Sequence, residues 1–443
     1  MHICLRFRST LTCNLVLTLR ICIPLKLWTV IQHVRICIKP VAHRKPFHHP
    51  LRNLYKGLWG ATCKDDFFFF IKRLISSFDQ AKAPLCQYFD MQNINMNKNS
   101  TNQSPTLKPT GYHPPSSGIF RFIPAVCVPY AELMRLDRPA GYYAFYWHYL
   151  IGLSFAACIA FPAPSPTTLL SLTTYLGLWV VILRGATCTW NDNLDQEFDR
   201  QVMRTRFRPI ARGAVTTTQA HIFTLAQTIL GTLMLIPLSS AVSVYASIMT
   251  AILLIYPLGK RITHFPQVIL GVGLAMPVFM CCAVLKTDPF IQPNAMSEGI
   301  TSQNGNADID VNRRHWGAAC LYAASLLWTI IFDTVYAHQD IKDDVKAGVK
   351  SLAVRLGKDT KTALSLLSVV QVGLLISSGY LCAFSRIYFL LGCGGVAAAL
   401  GGMLVFVQLD KPSSCAWWFG PGSKLVGASL VGGLLGEYVV RLY

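Results

Sequence analysis

The chain has 443 residues, of which 52% are hydrophobic and only 14% are charged, whereas about 25% of a typical soluble domain is charged. Long apolar runs recur along most of the chain, which excludes an ordinary soluble protein and predicts an integral membrane protein embedded in a lipid bilayer. The formal net charge is +19. Because the basic residues lie in short loops between apolar runs, as in polytopic membrane proteins, we expect no nucleic-acid partner.

The first 90 residues differ from the rest of the chain. Residues 1–90 carry 14 Lys and Arg against four Asp and supply +10 of the net charge. Apolar residues within 12–33 are interrupted by basic residues and a proline, so no clean membrane span is predicted there. We interpret 1–90 as an atypical basic extension, with three alternatives: a targeting leader, a disordered extension, or sequence absent from the mature protein. Residues 91–129 form a polar segment predicted to be disordered, and Met91 is favoured as near the functional start.

Residues 130–443 are predicted to form the membrane domain. They contain nine regular apolar segments, each near the roughly 20 residues that a spanning helix needs. The predicted fold class is therefore all-α, a polytopic membrane protein with about nine transmembrane helices. Basic residues concentrate in the loops after the second, fourth, sixth and eighth segments, which places those loops on the cytosolic face, or on the matrix face if the membrane is mitochondrial. The fifth loop, about 286–315, is long and polar and is predicted on the opposite face. The predicted spans are 141–161, 167–189, 220–238, 240–257, 266–285, 316–337, 363–383, 387–408 and 424–442.

The second predicted span ends in "NDNLDQEFDRQVMRTRFRPIARG", residues 191–213. If the helix continues, Asp192, Asp195 and Asp199 fall on one face. Three carboxylates in one column repel each other unless a cation lies between them. A solvated helix end with internal salt bridges is one explanation, and a Mg²⁺ site shared with substrate phosphates is the sharper one. A basic column with a regular four-residue step follows, formed by Arg200, Arg204, Arg208 and Arg212.

A second acidic cluster, "YAHQDIKDDVKAGVKSLAVRLG", closes the sixth predicted span. Asp340 and Asp344 are four residues apart with Asp343 beside them, and Lys346 and Lys350 follow at the same step. Two facing carboxylate columns would bind two or more Mg²⁺ ions, which would bridge a ligand with several negative charges. Because the site opens from a bilayer, the rest of the ligand should be lipid-like. An allylic prenyl diphosphate satisfies both conditions.

The two motifs resemble those of the UbiA-type intramembrane aromatic prenyltransferases, N-D-x-x-D-x-x-x-D and D-x-x-x-D. Further matches are "RLDRPAGYY" before the first span, "RPIARG" after the first motif, "YPLGKRITHFPQVILG" after the fourth span, and "YAHQDIKDD" with "GVKS" at the second motif. The resemblance covers about residues 130–443. It implies helices around a central cavity, with a Mg²⁺-diphosphate site under the cytosolic loops.

The resemblance also implies a cofactor, substrates and residue roles. Mg²⁺ is the implied cofactor, a prenyl diphosphate and a small aromatic acceptor are the implied substrates, and no obligate protein partner is inferred. Arg135 could equally be a positively charged membrane anchor, and Tyr256 and Tyr336 could equally be ordinary interfacial aromatics. The implied roles are catalysis and metal binding for Asp192, Asp195, Asp340 and Asp344, further metal contacts for Asn191 and Asp199, diphosphate contacts for Arg208, Lys260, Arg261 and Lys350, and acceptor contacts for Arg135, Tyr256 and Tyr336.

The implied reaction is electrophilic aromatic substitution on a phenol ring carbon. Arg212 stands where the ubiquinone-pathway enzymes more often have a small residue, and the sequence is most like the fungal meroterpenoid branch, which transfers farnesyl to polyketide-derived phenolic acids. A 4-hydroxybenzoate polyprenyltransferase of ubiquinone synthesis is the alternative. An endomembrane location, such as the endoplasmic reticulum, is favoured over the mitochondrial inner membrane. A transporter is disfavoured, because the acidic residues lie at helix ends in two matched motifs rather than near the midplane on broken helices.

Overall fold

The computed structural model divides the chain into two compact units, Met1–Thr101 and Asn102–Tyr443. All of the predicted membrane spans belong to the second unit. The structure describes residues 3–6, 16–19, 112–288 and 306–442.

The described residues of the first unit form two short strands. These strands, β1 (Ile3–Arg6) and β2 (Val16–Leu19), pair in antiparallel fashion. The rest of the predicted basic extension, and the predicted polar segment up to residue 111, lie outside the described residues.

The described residues of the second unit are helical, which confirms the predicted all-α fold class. Short 3-10 turns cover Gly118–Phe122, Ala125–Cys127 and Gly357–Asp359, and π-helical turns cover Tyr388–Gly394 and Trp418–Gly422. The α-helices are α1 (Val128–Leu133), α2 (Pro139–Ile159), α3 (Pro166–Leu194), α4 (Gln196–Gln201), α5 (Thr217–Leu235), α6 (Ser240–Ile262), α7 (Pro266–Ala275), α8 (Pro277–Val284), α9 (Asn306–Ala337), α10 (Ile341–Ala347), α11 (Leu352–Leu356), α12 (Thr360–Leu381), α13 (Gly395–Phe406), α14 (Pro412–Trp417) and α15 (Ser423–Leu442).

Among the described residues, seven helical stretches are long and apolar enough to cross a membrane. They coincide with the second and the fourth to ninth predicted spans. The first and third predicted spans are the helices α2 and α5, whose Tyr, His, Gln and Thr side chains make them less apolar. Helices therefore occupy each predicted position, while the count of nine spans stays a prediction. The seven stretches are Pro166–Leu194, Ser240–Ile262, Pro266–Val284, Asn312–Ala337, Leu352–Leu381, Tyr388–Phe406 and Pro412–Leu442.

The polar loop predicted over 286–315 is partly helical. Helix α9 begins at Asn306, ten residues before the predicted start of the sixth span. Polar side chains keep a segment out of the bilayer but do not prevent it from being a helix, so α9 continues beyond its apolar part. Residues 289–305 of this loop lie outside the described residues.

The long helices close into a ring. Helix α2 also packs on α8 inside the ring, so this part of the interior is filled and contains the fully buried Tyr149, Phe155 and Met280. Helix α5 packs on the outside, mainly against α3. Successive neighbours around the ring are α2, α3, α6, α7, α9, α12, α13 and α15, and α15 packs on α2.

Glycines allow one close helix contact in this ring. A Cβ atom at Gly433 would lie only 2.5 Å from the Gly392 Cα atom, whereas a Cβ atom at the adjacent Gly432 would meet open space. Small residues at such contacts let membrane helices approach closely. We therefore expect Gly433→Ala to destabilise the purified protein by about 1–3 kcal/mol. Thermal unfolding in detergent measures this, with Gly432→Ala as the matched control. Equal melting temperatures for the two variants would contradict the packing argument.

Candidate active site

The first acidic motif is bent rather than one continuous helix. Helix α3 ends at Leu194, Asp195 lies between α3 and α4, and Asp199 lies in α4. The Arg261 guanidinium donates a hydrogen bond of 2.5 Å to the Leu194 carbonyl oxygen, which a continuing helix would use for its own backbone. The bend differs from the predicted straight column, and the three carboxylates do not all face one cation: Asp192 and Asp199 share Arg208, whereas Asp195 pairs with Lys260.

Two arginines converge on the carboxylate of Asp192, which is almost completely buried. Arg135 Nη2 donates to both Asp192 oxygens at 2.5 and 2.7 Å. Arg208 Nη1 lies 3.1 Å from Asp192 Oδ1 and donates to both oxygens of Asp199 at 2.8 Å. Burial raises the pKa of Asp199, while Arg208 opposes that shift. These side chains form one buried network that joins the turn after α1, the end of α3, helix α4 and the loop after it.

Asp195 of the first motif and Asp340 of the second motif pair with other basic side chains. Lys260 Nζ, at the end of α6, donates to Asp195 Oδ2 at 3.0 Å. Arg204 Nε donates to the two oxygens of Asp340 at 2.9 and 3.0 Å, and Arg204 Nη1 donates to the Tyr336 hydroxyl at 2.9 Å. Arg204 follows the first motif and Asp340 belongs to the second, so this pair joins segments 136 residues apart.

One cavity of about 120 Å³ lies between the two motifs. Four of the aspartates that the sequence predicts to bind metal line it: Asp195, Asp199, Asp340 and Asp344. Arg208, Lys260, Lys350, Tyr256 and Tyr336 also line it. The full lining is Asp195, Phe198, Asp199, Val202, Arg204, Thr205, Arg208, Tyr256, Lys260, Pro266, Gln267, Asp333, Tyr336, Ala337, Asp340, Asp344, Val349, Lys350 and Ser351.

Four predicted site residues do not line this cavity. Asn191 and Asp192 lie in the last turns of α3, and Asp192 connects to the cavity through Arg208. Arg261 binds the Leu194 carbonyl and its guanidinium lies 5.3 Å from the centre of the Phe198 ring. The fourth residue, Arg135, lines a second cavity instead.

The second cavity, of about 200 Å³, lies beside the first turns of α2. Two buried guanidinium groups line it, those of Arg135 and Arg184. Arg184 donates to the carbonyl oxygens of Arg135 at 3.1 Å and Arg138 at 2.8 Å. Arg135 therefore contacts Asp192 and lines this cavity as well. The full lining is Met134, Arg135, Leu136, Pro139, Tyr142, Tyr143, Val181 and Arg184.

Comparison with known proteins identifies the family. The pattern of the UbiA prenyltransferase family matches residues 149–427. The chain belongs to the UbiA prenyltransferase family. This UbiA-family protein is 36% identical over 307 residues to the prenyltransferase ascA of Acremonium egyptiacum, a match that covers 68% of this chain and 83% of the relative. It is 37% identical over 292 residues to the mitochondrial 4-hydroxybenzoate polyprenyltransferase of Aedes aegypti, covering 66% of this chain and 59% of that relative.

A solved structure shares the fold of this UbiA-family chain. A UbiA homologue from Archaeoglobus fulgidus, bound to DMAPP and Mg²⁺, matches with a TM-score of 0.50 and 16% identity, over 70% of this chain and 99% of that chain. Together with the apolar helices, family membership makes this protein an integral membrane prenyltransferase. The predicted family and enzyme class are therefore confirmed.

The oxygen atoms of the UbiA-family site fit a divalent cation. Within the described residues, no three acidic, His or Cys side chains form a ready metal site, because most of the motif carboxylates pair with basic side chains. Asp195 Oδ1 and Asn191 Oδ1, however, are buried without a hydrogen-bond partner. Burial, and secondly the charge of Asp340, raise the pKa of Asp344 to about 6. Carboxylate and amide oxygen atoms are the kinds of ligand that hard divalent cations take.

Three further residues, Asp333, Gln267 and Arg184, line the two cavities, although the sequence pattern assigned them no role. Asp333, in the last turns of α9, lines the cavity together with Asp340, which lies between α9 and α10. A charged residue inside an apolar run is a signal for a functional position in a membrane protein. That signal applies to Asp333 and Arg184, whereas Gln267 lies inside the matched stretch "YPLGKRITHFPQVILG".

Proposed function

We propose that this enzyme transfers a farnesyl group from farnesyl diphosphate to a ring carbon of a phenolic, polyketide-derived acid in meroterpenoid biosynthesis. One observation carries the proposal: Asp195, Asp199, Asp340 and Asp344 line a single cavity together with Lys260. The similarity to ascA, and the Mg²⁺ and DMAPP bound to the Archaeoglobus homologue, support it. Mg²⁺ is the proposed cofactor.

The donor diphosphate would bind in the cavity between the motifs. Asp195, Asp340 and Asp344, with Asp199 beside them, would hold Mg²⁺. When bound, Mg²⁺ would act as a Lewis acid toward the diphosphate oxygens. Arg208, Lys260 and Lys350 would take the outer oxygens through charge-assisted hydrogen bonds. Their present partners, carboxylates and a backbone carbonyl, keep these cations oriented.

The aromatic acceptor would approach from the second cavity. Its carboxylate would pair with Arg135 and Arg184, whose planar guanidinium groups suit carboxylates. Tyr142 and Tyr143 line the same cavity and offer flat apolar surfaces to a ring. Arg135 contacts Asp192, which shares Arg208 with Asp199, so the two cavities adjoin through one ion-pair network.

The protein's role in the chemical step would be to hold the reactants and exclude water. Tyr256 and Tyr336 line the cavity, and the ring of Phe419 lies 4.2 Å from that of Tyr336. Electron-rich ring faces stabilise an allylic cation as the diphosphate departs, and a dry pocket prevents its hydrolysis. The cation would add to a ring carbon ortho or para to a hydroxyl group, and loss of that carbon's proton would restore aromaticity.

The alternative function is 4-hydroxybenzoate polyprenyl transfer in ubiquinone synthesis. The similarity to the Aedes enzyme favours it.

We propose the endoplasmic reticulum rather than the mitochondrial inner membrane as the location. The basic loops that carry both motifs would face the cytosol, following the excess of Lys and Arg in cytoplasmic loops.

A microsome assay tests the proposed function. Membranes containing the enzyme and Mg²⁺ receive farnesyl, geranylgeranyl or longer polyprenyl diphosphates, each with 4-hydroxybenzoic acid or dihydroxybenzoic acids, and products are identified by mass. We expect farnesyl transfer to the dihydroxy acids, and much weaker transfer to the same rings without a carboxylate, because Arg135 and Arg184 would lack a partner. Preference for long polyprenyl diphosphates with 4-hydroxybenzoate would establish the alternative. Equal rates with and without the carboxylate would contradict the proposed acceptor cavity.

A further inference from the structure

A buried ion pair lies outside both cavities. Arg212 Nη2 donates to Glu132 Oε2 at 2.5 Å, and the exposed fractions of the two side chains are only 6% and 10%. The Tyr112 hydroxyl donates to the other oxygen of Glu132 at 2.8 Å, and the Arg212 guanidinium lies 4.0 Å from the centre of the Tyr112 ring. Neither member of the pair lines the cavity between the motifs or the cavity beside α2.

The Glu132 side of the pair leads to Arg135. The Glu132 carbonyl oxygen accepts a hydrogen bond of 2.9 Å from the Arg135 backbone N–H. Arg135 has a φ angle of 58°, which is costly for a residue with a side chain and needs support from its surroundings. This turn directs the Arg135 guanidinium onto Asp192.

The Arg212 side of the pair leads to Arg208. Arg212 Nη1 donates to the Phe207 carbonyl oxygen at 2.6 Å, and the Arg212 N–H donates to the Arg208 carbonyl oxygen at 2.9 Å. Both bonds fix the backbone that carries Arg208, whose guanidinium contacts Asp192 and Asp199. The pair is therefore linked to each of the two arginines on Asp192.

A small hydrophobic cluster packs α1 against the loop that carries Arg208 and Arg212. Leu133 follows Glu132 on α1, and Ile210 and Val215 flank Arg212. These side chains pack together with Ala220 of α5, and all four are buried. The ion pair thus lies beside a fixed contact between α1 and the loop that carries Arg208.

We propose that Glu132 and Arg212 form a positioning pair that sets Arg135 and Arg208 on Asp192, with Tyr112 completing the contact. This inference rests on the proposed function, in which Arg208 binds the diphosphate. The pair acts through other residues and touches no substrate. Losing it lets the Arg208 loop and the Arg135 turn shift, which weakens diphosphate binding while the membrane helices remain folded.

The test compares Arg212→Gln with Arg206→Gln. Arg206 lies on the same loop, is exposed and stacks on the Phe207 ring at 4.7 Å. Replacing a residue that supports a metal site from outside typically costs 10- to 100-fold in metal affinity or activity. We expect Arg212→Gln to raise the KM for prenyl diphosphate about 10- to 100-fold, Arg212→Lys to recover part of the loss, and Arg206→Gln to match the wild type.

A purely structural role gives a different result. It reduces the amount of folded enzyme, so the maximal rate falls while the KM of the folded fraction stays unchanged. That result, or an equal KM increase in Arg206→Gln, would overturn the proposal. If Arg212→Gln does not fold, Glu132→Gln and Tyr112→Phe remove less of the same contact. We expect both variants to raise the KM for prenyl diphosphate less than Arg212→Gln, with a larger increase in Glu132→Gln than in Tyr112→Phe. An unchanged KM in both variants overturns the proposal.

A binding measurement separates this inference from the proposed function. Purified protein with Mg²⁺ is titrated with farnesyl thiodiphosphate, an unreactive analogue. Absence of farnesyl transfer by the wild type would refute the proposed function. Weaker analogue binding by Arg212→Gln than by the wild type and Arg206→Gln would still support the positioning pair, and equal binding by all three would refute it.

Discussion

Asp340→Asn is expected to lower prenyl transfer at least about 100-fold while the protein remains folded. Asn keeps a hydrogen-bond acceptor for Arg204 but removes the charge that a divalent cation needs. A metal ion contributes several kcal/mol of transition-state stabilisation, and 2.7 kcal/mol corresponds to about 100-fold in rate. Initial rates in microsomes, measured over a range of Mg²⁺ concentrations, test this expectation.

The matched control for this variant is Asp343→Asn. Asp343 lies in the first turn of α10, three residues after Asp340, and undergoes the same change of charge, but its carboxylate accepts a long bond of 3.4 Å from the Met203 N–H and does not line the cavity. We expect it to keep most of the activity. Equal losses in the two variants would show that the general negative charge around the start of α10 matters rather than the Asp340 carboxylate itself. Chelation of Mg²⁺ should abolish wild-type activity, and added Mg²⁺ should restore it.

The sequence predicts the fold well because the bilayer limits the choices. Only helices or closed barrels satisfy the backbone in a bilayer, so apolar segments of spanning length already indicate a helical bundle. All predicted positions are helical, including α2 and α5, where aromatic and polar side chains lower the hydropathy. The beginning of α9 at Asn306 was not predicted, because polarity marks the edge of a membrane and not the end of a helix.

The sequence predicts which residues form the site better than it predicts which of their side chains pair with each other. Spacing places the motif aspartates at helix ends, but it cannot show that Lys260 reaches Asp195, 65 residues away in the chain. It also cannot show the bend at Asp195, which depends on Arg261 binding the Leu194 carbonyl. The predicted arginine column divides in the structure. Arg204 binds Asp340, whereas Arg212 binds Glu132 outside the cavity.

The adjacent basic residues Lys260 and Arg261 have different partners in the structure, which their position in one motif does not predict. Adjacent helical residues point about 100° apart, so only one of them can face the cavity. Lys260 lines it and donates to Asp195, while Arg261 binds a backbone carbonyl on the other side. The resemblance to the family assigns both residues to the diphosphate, and the geometry predicts that their roles differ.

Lys260→Met is therefore expected to reduce kcat/KM for prenyl diphosphate strongly. Truncating one partner of a buried charge pair costs about 2–5 kcal/mol, which corresponds to roughly 30-fold or more. Arg261→Met should instead loosen the junction of α3 and α4, so its main effect should be a lower melting temperature. Steady-state kinetics and thermal unfolding of both variants separate the two outcomes. If Arg261→Met lowers kcat/KM as much as Lys260→Met without losing stability, both side chains reach the diphosphate and the α6 end must rotate when the substrate binds.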